Sequence, residues 1–97
     1  MNDNPLQALG LALKAGKLIH GTERVLKNLK QYPHGIVFLA SDAGENLRKK
    51  AHDKTAFYKT TLIDKYTQDE LSKAIGKEQR AILLLTDKGF YKPATNS

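Results

Sequence analysis

The sequence predicts an α/β sandwich, and three observations carry that prediction. Two continuous apolar runs of strand length, Ile36-Val-Phe-Leu-Ala40 and Ala81-Ile-Leu-Leu-Leu-Thr86, suit central strands covered on both faces. Segments of helical periodicity alternate with short extended pieces along the chain, the order expected of a layered α/β fold. Its 97 residues, 40% apolar and 27% charged, suffice for one hydrophobic core. One domain over residues 1–97 is therefore expected, with its core at about 4–91 and a flexible tail at 92–97.

The first helix should start at Asn4, a favoured N-cap, with Pro5 at the first helical position where its missing N–H costs nothing. Leu6, Leu9 and Leu13 recur at helical spacing as a buried stripe, and Gly16 falls where a left-handed C-cap is needed. Lys17-Leu-Ile-His20 reads as a short strand. A second helix should run from Thr22 to Gln31 with Val25, Leu26 and Leu29 inward and Arg24, Lys27, Asn28 and Lys30 outward. Tyr32-Pro-His-Gly35 stops it, and the apolar strand Ile36–Ala40 follows.

Ser41 and Asp42 are expected to cap the third helix, with Glu45 three residues after Asp42 as a variant capping box. That helix should reach about Phe57, with Leu47 and Ala51 towards the core and Phe57 or Tyr58 closing its end. Thr60–Ile63 is a short strand. Thr67-Gln-Asp-Glu70 is a capping box for a fourth helix, which buries Leu71, Ala74 and Ile75 and stops at Gly76. The strand Ala81–Thr86 comes next, then a last helical turn after Asp87 and a frayed end at Pro93–Ser97.

Composition narrows the function. Sixteen Lys and Arg against ten Asp and Glu give a net charge of +6, an electrostatic footprint compatible with nucleic acid. The chain has no cysteine, so disulfides and thiolate metal sites are excluded. No apolar run approaches the ~20 residues of a membrane span, and Met-Asn-Asp-Asn-Pro lacks the features of a secretory signal. A cytoplasmic protein without membrane contact is expected. His20, His34 and His52 have no ligand-like spacing and read as surface or loop residues. Gly76-Lys77-Glu78 lacks the upstream glycine and the following Ser or Thr of a phosphate loop. With no nucleophile set beside an acid or base, no catalysis, cofactor, metal or small-molecule substrate is expected.

The positive signal lies in two turns. At the first, Gly21 opens a helix whose start attracts anions. Thr22, Arg24 and Lys27 stand around it, and Lys17 lies just upstream in the same basic segment. The second turn offers Lys77, Gln79 and Arg80. If both lie at one end of the sandwich they make a cationic rim. Phosphates would then fix register, and Glu23, Gln79 or Thr22 would read base edges. The competing reading of Glu23 is an ordinary i,i+4 pair with Lys27. The triplet Arg48-Lys49-Lys50 reads as a solvated helix face. Aromatics are few and none interleaves with the basic segment, which argues against a single-strand binder built on stacking.

These residues also resemble a known family. Leu9-Gly-Leu-Ala-Leu-Lys-Ala-Gly-Lys-Leu-Ile-His-Gly21, Val25-Leu-Lys27 and the strand Gly35–Ala40 are similar to the kink-turn-binding ribosomal protein superfamily. Ala74-Ile-Gly-Lys-Glu78, Thr86-Asp-Lys-Gly-Phe90 and the short length resemble most its small bacterial YlxQ-type branch, over about residues 6–91. The resemblance implies a three-layer α-β-α sandwich with a mixed four-stranded sheet. It also implies binding to a kinked internal loop of RNA, read by shape and non-Watson–Crick edges. In the family signature a glycine, one variable residue, Asn-Glu, two residues and a lysine follow in order. Gly21 and Lys27 match, whereas the Asn-Glu pair falls on Glu23 and Arg24. Arginine cannot accept a hydrogen bond as glutamate does, so the balance shifts from base reading towards phosphate gripping.

The expectation is thus a non-enzymatic, monomeric, ribosomal-protein-type binder of structured RNA, ribosomal RNA among the candidates, through Lys17, Gly21, Thr22, Glu23, Arg24, Lys27, Lys77, Gln79 and Arg80. The alternative is a protein–protein module that kept the fold and lost the RNA.

Overall fold

A computed structural model of the chain describes residues 5–90. The expected Asn4 cap and the tail at 92–97 lie outside the described residues. Helix α1 (Pro5–Lys14) buries Leu9 and Ala12 completely, with Leu6 and Leu13 half-buried beside them. Gly16 then takes φ 73°, which lets its N–H reach the Leu13 carbonyl and the Lys17 N–H reach that of Ala12. This pair of bonds satisfies the helix end. It also holds Lys17 in the cap, so strand β1 starts one residue later (Leu18–His20) than the spacing suggested.

Helix α2 (Thr22–Asn28) tightens into a 3₁₀ turn (Leu29–Gln31), ending where expected, with Val25 and Leu29 fully buried and Leu26 half-buried. Strand β2 (Ile36–Leu39) is buried at every position, as is strand β4 (Ile82–Leu85). Between them come helix α3 (Glu45–Tyr58), strand β3 (Thr61–Ile63) and helix α4 (Gln68–Ile75). A 3₁₀ turn (Lys88–Phe90) supplies the expected final helical turn, with Asp87 accepting from the Gly89 N–H at 2.9 Å.

The sheet order is β1-β4-β2-β3, with β4 antiparallel to both β1 and β2 and β3 parallel to β2. The sheet is therefore mixed and four-stranded. α1 packs with α4, while α2 packs on β1 and β4 and its 3₁₀ extension meets α3. Helices thus cover both faces of β2 and β4, which is why neither strand alternates in polarity. Phe38 is the largest fully buried side chain, and Leu9, Leu29, Leu39, Leu71 and the β4 leucines are fully buried as well.

The start of α3 differs from the sequence reading. Its N-cap is Gly44, and no side chain caps it. Ser41 and Asp42 are engaged across the sheet instead. The Ser41 N–H donates to the Tyr66 carbonyl at 2.8 Å, and the Asp42 carboxylate accepts from the Gln68 N–H at 2.9 Å. Those bonds fasten the turn after β2 to the start of α4 and leave Asp42 outside α3. At the other end Tyr58 is half-buried, whereas Phe57 remains 77% exposed. None of the described helices is long and apolar enough to cross a membrane.

Candidate nucleic-acid interface

Register decides what meets what. Leu18 pairs with Leu85 and His20 with Leu83, so the chain leaving β1 runs beside the chain entering β4. The turn that opens α2 and the Lys77–Arg80 connection therefore meet at one edge of the sheet. The contact is direct: Arg80 Nε donates to His20 Nδ1 at 3.2 Å. A guanidinium near the start of β4 thus bonds to the residue just before Gly21.

Each half of the edge is built by local chemistry. Gly21 adopts φ 97° and ψ 126° and forms the N-cap of α2 without a side chain to offer. The first amides of a helix have no intrahelical acceptor, so here they are left to an outside one. Thr22, Glu23, Arg24 and Lys27 are all exposed, and Arg24 and Lys27 share a side of α2 through their i,i+3 spacing. Glu23 and Lys27 do not form an ion pair; among the described residues Lys73 pairs with Asp69 at 3.2 Å, and His52 Nε2 lies 3.8 Å from the Asp64 carboxylate. Asn28, expected to face outward, is half-buried and donates back to the Arg24 carbonyl at 2.7 Å.

The other half follows α4. Gly76 ends that helix at φ 68°, with the Lys77 N–H donating to the Ser72 carbonyl, and Gln79 turns the chain through a left-handed φ of 55°. The buried Ser72 hydroxyl accepts from the Arg80 N–H at 2.8 Å, and Arg80 Nη1 donates to the Glu78 carbonyl at 2.8 Å. Lys77, Glu78 and Gln79 stay exposed.

Electrostatics report the same convergence. His20 is held below its ordinary pKa of 6.5, first by burial and then by the nearby charges of Arg80, Lys77 and Arg24. Cations from both turns thus act on one imidazole. Next to this rim lies a groove lined by Asp42, Gln68, Asp69, Ser72 and Lys73 together with Lys77, Glu78 and Gln79. Its carboxylates bound the positive surface on that side.

Of the residues picked out in the sequence, Gly21, Arg24, Lys77 and Arg80 come together around His20, with Thr22, Glu23, Lys27 and Gln79 on the same two turns. Lys17 does not join them. It precedes β1 at the opposite end, where its carbonyl accepts from the Thr86 N–H and hydroxyl at 2.9 and 3.0 Å. At about 3.3 Å per strand residue its backbone lies roughly 13 Å from Gly21. His20, which its sequence context marks as a surface or loop residue, is instead half-buried and bonded to Arg80; its place next to Gly21 is the one local signal for it. Among the described residues no three His, Asp or Glu side chains gather closely enough to hold a metal ion.

Comparison with known proteins gives a consistent result. The model of the ribosomal protein L7Ae/L30e/S12e/Gadd45 family matches residues 3–94. The chain is 37% identical over 87 residues to the RNA-binding protein YlxQ of Enterococcus faecium, covering 90% of this chain and 84% of that protein. It is also 37% identical over 82 residues to the RNA-binding protein YlxQ of Bacillus subtilis (strain 168), covering 84% and 82%. A solved structure of a protein with unknown function from Bacillus halodurans C superposes with a TM-score of 0.83 at 35% identity, covering 92% of this chain and 90% of that one.

Proposed function

The chain belongs to the ribosomal protein L7Ae/L30e/S12e/Gadd45 family, and on that premise we propose that it is a non-enzymatic, cytoplasmic RNA-binding protein that grips a folded RNA at the rim between α2 and β4. Two relatives named RNA-binding proteins support the general reading. The observation that carries the specific one is the strand register that brings the opening of α2, with Arg24, beside the Lys77–Arg80 connection, joined by the bond from Arg80 to His20. Three cations from two segments far apart in sequence, beside helix amides without a capping side chain, suit phosphates that come close together where an RNA backbone bends.

In this reading Arg24 and Lys27 neutralise phosphates on the α2 side and Lys77 and Arg80 on the other. Thr22 and Gln79 offer neutral hydrogen-bonding groups between them. Glu23, without a lysine partner, is available to accept from a base amino or imino group. Because Arg24 stands where the family signature has glutamate, phosphate contacts outweigh base reading. A kinked internal loop is the RNA form the family resemblance favours, and Lys17 has no part in the contact.

Fluorescence anisotropy with a labelled kink-turn stem–loop, titrated over a range of salt concentrations, tests this. Arg24→Ala combined with Lys27→Ala should weaken binding and flatten the log–log salt slope by about two phosphate contacts. Unchanged affinity and slope would exclude these residues from the interface.

A further inference from the structure

Among the described residues Arg80 is the only cation of the rim whose side chain has protein partners. Nη1 is bonded to the Glu78 carbonyl and Nε to His20 Nδ1, while Ser72 holds the backbone N–H. An exposed arginine ordinarily samples many rotamers, and ordering it on binding costs affinity. Here that order exists before any ligand arrives. We infer that His20 is a positioning residue for the RNA contact: its neutral imidazole, accepting at Nδ1, holds the Arg80 guanidinium with its outer N–H groups directed to a phosphate. The inference rests on the RNA-binding reading above and adds to it a residue outside the phosphate-gripping set.

The chemistry requires a specific form of the ring. Nδ1 accepts only when unprotonated, so the neutral ring carries its proton on Nε2. Protonation would make Nδ1 a donor facing another donor, and the bond to Arg80 would be lost. The charged groups acting on His20 oppose that proton: Arg24 from α2, and Lys77 and Arg80 from the connection into β4. Strand β4 presents the uncharged Leu83 opposite it, and the only ionisable side chain of α1, Lys14, lies towards the far end of β1. Together with burial, these neighbours keep the ring neutral around neutral pH, so Arg80 is held there and released on acidification. A guanidinium fixed in one plane favours paired hydrogen bonds to phosphate oxygens, which a lysine cannot make.

The test follows the Arg80 Nε–H signal by ¹⁵N NMR in the intact protein, alongside anisotropy with the labelled kink-turn stem–loop. At neutral pH the signal should be slow to exchange in the native protein and in His20→Asn, whose side-chain oxygen replaces Nδ1. It should be lost in His20→Leu. Acidification, which slows solvent exchange in every variant, should move the resonance away from its hydrogen-bonded position in the native protein and leave that position unchanged in His20→Asn. RNA affinity at neutral pH should fall about five-fold in His20→Leu, the worth of one ordering hydrogen bond, and stay near the native value in His20→Asn. A signal indifferent to both pH and His20→Leu overturns the inference, as does His20→Leu binding RNA like the native protein. If the NMR pattern appears but the native protein binds no RNA, the functional reading fails while the His20–Arg80 bond stands.

Discussion

At Gly21 the backbone takes φ 97° with ψ 126°, a combination that L side chains rarely adopt. Space is not the obstacle, since the nearest atom to an added Cβ would be Arg24 Cδ at 3.9 Å. The cost is conformational. Gly21→Ala should therefore destabilise the protein by about 1–3 kcal/mol, read as a lower urea midpoint with an unchanged slope. Loss of less than a few tenths would show that the turn relaxes freely. Gly21 was legible in the sequence because a glycine before a helical stripe has a local meaning. His20 was not, because its role depends on Arg80, sixty residues along the chain. Asp42 misled for the same reason. Its short-range pattern with Glu45 resembles a capping box, but its acceptor serves Gln68, 26 residues away.

Among the elements, α4 shows how local and distant chemistry combine to place the rim. Its capping box is complete: the Glu70 N–H donates to Thr67 Oγ1 at 3.2 Å and the Thr67 N–H to Glu70 Oε1 at 2.9 Å. Asp42 holds the next amide, and Ser72, one turn on, clamps Arg80. Thr67→Ala should cost about 1 kcal/mol of stability, measured by chemical denaturation; no change would mean that Asp42 alone fixes this helix start. The box was readable from four consecutive residues. So were β2 and β4, whose apolar runs declare burial on both faces. The α3 start was not readable, because cross-sheet bonds to Ser41 and Asp42 hold the residues that would otherwise have capped it. The edge strands β1 and β3 are each a residue shorter than expected, since Lys17 and Thr60 close the preceding helices: the Thr60 N–H donates to the Thr55 carbonyl at 2.8 Å.

For the whole molecule, the decisive fact is a strand order that periodicity does not encode. Pairing β1 antiparallel to β4 turns two basic turns far apart in sequence into one edge and sends Lys17 to the other end. The net charge of +6 is thereby distributed unevenly: cations gather at the rim, Asp42, Asp69 and Glu78 bound the neighbouring groove, and α3 carries Arg48, Lys49 and Lys50 on exposed positions of a separate element. A surface that bound RNA through bulk charge alone would use α3 as readily as the rim. Zero-length ultraviolet crosslinking of the protein to a kink-turn stem–loop, with the crosslinked peptides mapped by mass spectrometry, separates the two most directly. Crosslinks concentrated on residues 20–27 and 77–80 are the predicted result; crosslinks concentrated on α3, with the rim unmodified, would contradict the account.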